Sequence, residues 1–151
     1  MGCVFSCLRT KREDCIDGAY DGPVEVVVKV TQTHEIVYPS TNSGRIRVKT
    51  LHTPKTWTKL KCETGGFILR HHHCGKDYYM TKTSKDKVKL LEGVRNSEST
   101  AFELYDDPES KRLMRHVHSG KFIALTENRR LILIEEERLA EGIQVYVTDE
   151  A

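Results

Sequence analysis

No apolar run in this 151-residue chain approaches the roughly 20 residues that a membrane-spanning helix needs. The leading residues also lack the apolar core of roughly 7–15 residues that marks a secretory signal. A glycine-rich phosphate loop, a G-x-S-x-G elbow and an H-E-x-x-H helix are all missing. No catalytic residue is therefore assigned, and no enzyme is expected. The five cysteines are odd in number, and Cys15, Cys62 and Cys74 show no C-x-x-C spacing. That argues against a disulfide framework or a zinc site and for a reducing, cytosolic compartment. Net charge is only +2, and aromatics do not interleave with the basic residues. No nucleic-acid partner is expected on that basis.

What is present begins at the front. In Met1-Gly2-Cys3-Val4-Phe5-Ser6-Cys7, removal of Met1 exposes the unhindered amine of Gly2. Ser6 then completes the M-G-x-x-x-[ST] pattern for N-myristoylation. One myristoyl chain binds a bilayer only marginally, with about 10⁴ M⁻¹, so stable attachment needs a second signal. Cys3 and Cys7 lie where S-palmitoylation would supply it. The block Met1-Gly2-Cys3-Val4 resembles the acylated N-termini of Src-family kinases and G-protein α subunits, over fewer than ten residues. Arg9, Lys11 and Arg12 add charges worth about 1 kcal/mol each near an anionic leaflet. Glu13, Asp14, Asp17 and Asp21 cancel part of that attraction. Residues 8–22 read as a polar tether with Gly18, Gly22 and a following Pro23, and about fifteen flexible residues span roughly 20 Å.

Charge is spread unevenly along the remainder. Residues 45–95 hold 13 Lys/Arg against 4 Asp/Glu, and residues 96–151 hold 7 against 12. The basic block reads either as a solvated surface or as a face for anionic lipid or an acidic partner. Lys82, Lys85, Lys87 and Lys89 are its candidate anion- or partner-binding residues.

At 38% hydrophobic and 30% charged, the chain suits one domain burying about two-thirds of its unfolded surface. From Val24 onward the pattern is β. Val24–Val30 is a β-branched run, and Gly44–Lys49 alternates with period two. Segments 88–90, 102–104, 131–133 and 144–147 read as further short strands between turn signals. Glu135–Ala140 has room for one helical turn. An internal repeat organises these pieces. Ile68-Leu69-Arg70-His71-His72-His73-Cys74-Gly75-Lys76 matches Leu113-Met114-Arg115-His116-Val117-His118-Ser119-Gly120-Lys121, and Val28-Lys29-Val30 begins a fainter first copy. Three copies of about 40 residues, with four strands each, are too few for a propeller.

Three such units resemble the β-trefoil superfamily of fibroblast growth factors, interleukin-1 and the fascins, across nearly all of residues 24–149. The segments Leu60–Arg70 and His118–Leu125 carry the likeness. The resemblance implies an all-β fold, a six-stranded barrel capped by hairpins, with turns at Gly75 and Gly120 at positive φ and the aromatics after them dropping into the barrel. Trp57, Phe102 and Ile143 would be matching core residues. Growth-factor activity is not implied, because the late Cys-x-Phe-x-Glu segment is replaced by Ile132-Leu133-Ile134-Glu135-Glu136 and the region is acidic.

The His71-His72-His73-Cys74 run belongs to the repeat. In a strand, His71 and His73 share a face while His72 points away, so three ligands do not converge. No metal or cofactor is expected. Cys62 and Cys74 read as packing residues of the repeat in preference to nucleophiles. The expectation for the whole chain is a lipidated anchoring tail and tether at 1–22 and a β-trefoil at 23–151. It would be a non-catalytic, monomeric adaptor on the cytoplasmic side of the cell membrane, holding inner-leaflet lipid by acyl chains and concentrating a signalling protein there. A module for anionic lipid or phosphoinositide headgroups and an actin linker are the alternatives.

Overall fold

The computed structural model describes residues 22–40, 44–93, 97–106, 112–141 and 143–148. Twelve strands carry the architecture: β1 (Val24–Val30), β2 (Ile36–Ser40), β3 (Arg45–Lys49), β4 (Trp57–Lys61), β5 (Phe67–His73), β6 (Lys76–Lys82), β7 (Val88–Glu92), β8 (Phe102–Asp106), β9 (Arg112–His116), β10 (Phe122–Leu125), β11 (Leu131–Ile134) and β12 (Ile143–Thr148). One helical turn, α1 (Ser97–Thr100), precedes β8, and a 3-10 turn spans Glu136–Glu141. The fold is all-β, as the alternating and β-branched runs imply, and among the described residues its strands pair antiparallel. The turn expected over Glu135–Ala140 forms as that 3-10 segment.

Pairing curls the sheet. β4 joins β1 to β5, β8 joins β5 to β9, and β12 returns to pair with β1. β9 lies against β12, so each of these six strands has neighbours on both sides. Three hairpins, β2–β3, β6–β7 and β10–β11, hang from this path.

Residue patterning explains the layers. In β1, Val26, Val28 and Val30 enter the main core while Val27 packs outward with Ile36 and Tyr38. Both faces are covered, so the segment reads as unbroken valine with little alternation. In β3 only one face is covered: Ile46 and Val48 turn inward and the flanking cations outward. The motif copies behave alike. Leu69 and Met114 lie in the main core, while the preceding Ile68 and Leu113 each sit in an outer cluster of their own. Trp57 and Phe102 are fully buried, and Trp57 Nε1 donates to Val37 O at 2.9 Å, satisfying the indole's one polar atom.

Gly75 and Gly120 adopt φ 77° and 72°, as expected of the turn glycines. The aromatics after them behave differently from the expectation. Phe122 and Tyr79 are buried in the outer clusters, and it is Met80 and Ile123 that enter the main core. Strand alternation places one residue of each neighbouring pair on each face, and the aliphatic member took the inner one. Only Tyr78 packs against the main core from its edge.

Candidate functional site

Gly2, Cys3, Cys7, Arg9, Lys11 and Arg12 lie outside the described residues, as does the rest of the tether before Gly22. The described chain takes up at Gly22-Pro23, two residues before β1.

The four candidate lysines of the basic block lie on the β6–β7 hairpin. Lys82 closes β6, Lys85 sits in the turn, Lys87 bridges to Ile132, and Lys89 lies in β7 opposite Thr81. In β7, Val88 and Leu90 are buried and Lys89 and Leu91 are exposed, as is Lys87 just before the strand. Two of the cations therefore share one outward face. Lys82 turns elsewhere. Its Nζ stands 3.6 Å from Asp86 and donates to Thr83 O at 3.2 Å.

Asp86 organises this end of the domain, and sequence reasoning did not single it out. Its Oδ2 accepts Lys121 Nζ at 2.6 Å, tying the β6–β7 turn to the turn before β10. The hydrogen bond from Lys121 holds the Asp86 carboxyl below its ordinary value, and Lys121 is raised in return. Asp86 adopts φ 58°, a conformation that Asp tolerates better than most residues. Its carbonyl accepts Leu133 N at 2.8 Å. The available signal was a carboxylate four residues after Lys82 inside an otherwise basic stretch.

The histidine run diverges as strand geometry requires. His71 and His73 stack at 6.0 Å with 10° between their planes. His72 Nδ1 instead meets Asp77 Oδ1 at 2.7 Å. Among the described residues, no three His, Cys, Asp or Glu side chains gather as a metal site would need. The other copy has become core. His116 is 1% exposed, its Nε2 donates to Glu98 O at 2.8 Å, and its Nδ1 meets Ser119 Oγ at 2.8 Å. Those partners place the ring proton on Nε2. Burial lowers the His116 pKa.

The two thiols part company. Cys62 is buried beside Ile68 and Tyr79, with Sγ 3.2 Å from Thr64 Oγ1, and packs as expected. Cys74 departs from the packing expectation. It is exposed at the tip of the β5–β6 hairpin, at φ 53°, with Sγ 3.3 Å from His73 Nε2. A two-residue loop with positive φ at both Cys74 and Gly75 is the connection that best matches strand twist, and it points the intervening side chain away from the core. Among the described residues, no helix is long and apolar enough to cross a membrane.

No protein-family model matches the chain. No curated protein matches it either.

Proposed function

We propose that this protein is a non-catalytic, acylated adaptor whose β-trefoil is confined to the cytoplasmic face of the cell membrane. The trefoil reading rests on the run of six mutually neighbouring strands and on the three hairpins that leave it. The outer clusters support it too, because Val27, Ile68 and Leu113 each seed one at a matching place in the sequence motif. A barrel of that kind is stiff and leaves its loops free to vary, which suits partner binding.

The observation that carries the functional reading is the heptad Met1-Gly2-Cys3-Val4-Phe5-Ser6-Cys7. It combines an acceptor amine with two thiols within reach of the same membrane surface. A myristoyl chain delivers the protein to the bilayer, and palmitoyl groups on Cys3 or Cys7 hold it there. Confinement raises the concentration of the domain for membrane-bound partners without any new contact.

Mass spectrometry of the protein purified from eukaryotic cells tests this directly. The expected result is a mass gain of myristate on Gly2 and of palmitate on Cys3, Cys7 or both, with Gly2→Ala losing every addition and leaving the membrane fraction. An unmodified or acetylated N-terminus in the native protein would overturn the proposal. A Gly2→Ala protein that stays on membranes would shift the reading to a domain that binds lipid by itself.

A further inference from the structure

One strand position carries an arginine in two copies of the repeat, and only one of the two is satisfied. Arg115 in β9 faces Glu103 across the β8–β9 pair. Its guanidinium meets that carboxylate at 2.7 Å and 2.9 Å and lies 4.8 Å from the centre of the Tyr105 ring. Arg70, its counterpart in β5, faces Thr58 across the β4–β5 pair. Thr58 Oγ1 already donates to Glu25 at 2.8 Å. Arg70 Nε is buried and has no hydrogen-bond partner. A buried donor without a partner is costly, more so on a cation.

The unsatisfied arginine lines a cleft of about 360 Å³ shared with Glu25, Lys55, Thr56, Thr58 and His71. Glu25, Thr58 and Arg70 stand in register across β1, β4 and β5. Glu25 is fixed at one wall, because Thr56 and Thr58 donate to its two oxygens at 2.6 Å and 2.8 Å. His71, the next residue along β5, also lines the cleft, and its Nε2 is buried without a partner. Burial lowers the His71 pKa, with its neighbours His73, His72 and Lys55 adding to the effect and Glu25 opposing it. The cleft thus holds two cations, a carboxylate held by two threonine hydroxyls, and an arginine Nε without a partner.

We propose that this cleft binds a phosphomonoester, with the phosphate on Arg70 and Lys55 and its hydroxylated carrier turned toward Glu25. The planar guanidinium offers phosphate oxygens the paired donors that Glu103 receives from Arg115. Lys55, exposed on the rim, supplies the second charge that a dianion requires. Glu25 repels a ligand charged all over but retains lone pairs for a carrier hydroxyl. This site owes nothing to the acyl anchor, so it stands or falls separately from the proposed function.

The test uses the full chain carrying Gly2→Ala, so that acyl chains do not contribute. Inorganic phosphate and glycerol 3-phosphate are titrated in, with the His71 imidazole followed by NMR and the heat by calorimetry. Saturable binding with a shifted His71 signal is expected. Arg70→Gln should weaken it by about tenfold or more, Lys55→Gln several-fold, and Arg70→Lys should recover part of the loss because charge returns without the fork. Near-UV circular dichroism reports folding. If Arg70→Gln does not fold, Lys55→Gln at an exposed loop residue decides the matter. No saturable binding by either probe, or unchanged affinity in the folded variants, overturns the site, and equal affinities for the two probes overturn the role of Glu25. Co-sedimentation with phosphatidylcholine vesicles holding phosphatidylinositol 4-phosphate, lost in Arg70→Gln, would identify a lipid headgroup as the natural source. Binding of the free phosphomonoester without vesicle binding would identify a small soluble one.

Discussion

Gly66 has less latitude than Gly44, Gly65, Gly75, Gly93 or Gly120. A Cβ there would stand 2.3 Å from the backbone oxygen of Phe102 and 2.9 Å from a Val117 methyl, at φ +77°. The carbonyl belongs to the β8 residue that pairs with Phe67, so it cannot withdraw without opening the junction of β5 and β8. Gly75 has the same φ and open space around it. The pair separates two costs that usually arrive together. Gly75→Ala should lose only the left-handed penalty of roughly 1–2 kcal/mol. Gly66→Ala adds a forced backbone shift and should lose about 3 kcal/mol or more. Urea denaturation of both variants measures the difference, and equal losses would show that the β5–β8 junction yields freely. The sequence marks Gly75 as a turn glycine and gives no such signal at Gly66. Its constraint shows only in the approach of a distant backbone.

At the scale of elements, what the sequence disclosed depended on whether neighbours in the chain were also neighbours in space. Strands and hairpin turns were legible because period-two alternation and Ser-Gly or Cys-Gly pairs are local. The motif shared by β5 and β9 was legible for the same reason. What the two copies do with it was hidden, since Glu103 opposite Arg115 and Thr58 opposite Arg70 are set by pairing register. His71 and His116 likewise occupy matching places, yet one lines a cleft and the other fastens α1 to β9 through Glu98 O. The fastening has a pH signature. Burial holds the folded-state pKa of His116 below its ordinary 6.5, so as pH falls through that value the unfolded chain takes up a proton that the native ring refuses. Stability is therefore full near neutrality and declines toward acid. His71, also lowered by burial, adds to the same slope. The hydrogen bond to Glu98 O opposes the burial effect most, Lys82 and His118 add to it, and Asp86 opposes it. Chemical denaturation at about pH 7.5 and about pH 5.5 should show a smaller drop in His116→Gln than in the parent, although the variant starts lower for losing a bond at α1. An identical drop in both would mean that the ring is protonated in place and the buried contact does not resist it.

For the whole molecule, the acyl attachment we propose would be a competition between weak terms, and their sizes say which substitution matters. A single myristoyl chain supplies about 10⁴ M⁻¹, and Arg9, Lys11 and Arg12 add about 1 kcal/mol each at most before the four nearby carboxylates subtract from it. Without palmitate, that sum describes a protein that visits membranes and leaves. Each palmitoyl chain contributes about 0.8 kcal/mol per buried methylene, far more than the whole basic cluster. A Cys3→Ser/Cys7→Ser protein that keeps Gly2 should therefore still carry myristate but spread between cytosol and internal membranes, with a bound fraction that falls further as salt screens Arg9, Lys11 and Arg12. Each single cysteine variant should retain most of its plasma-membrane signal, because one palmitoyl chain beside myristate already meets the two-signal requirement. Fractionation and live-cell imaging of the three variants read this out. If the double variant stays on the plasma membrane through a high-salt wash, the thiols are not anchors. The folded domain itself would then have to grip the bilayer directly, with exposed Lys87 and Lys89, at the start of β7, as the first residues to neutralise.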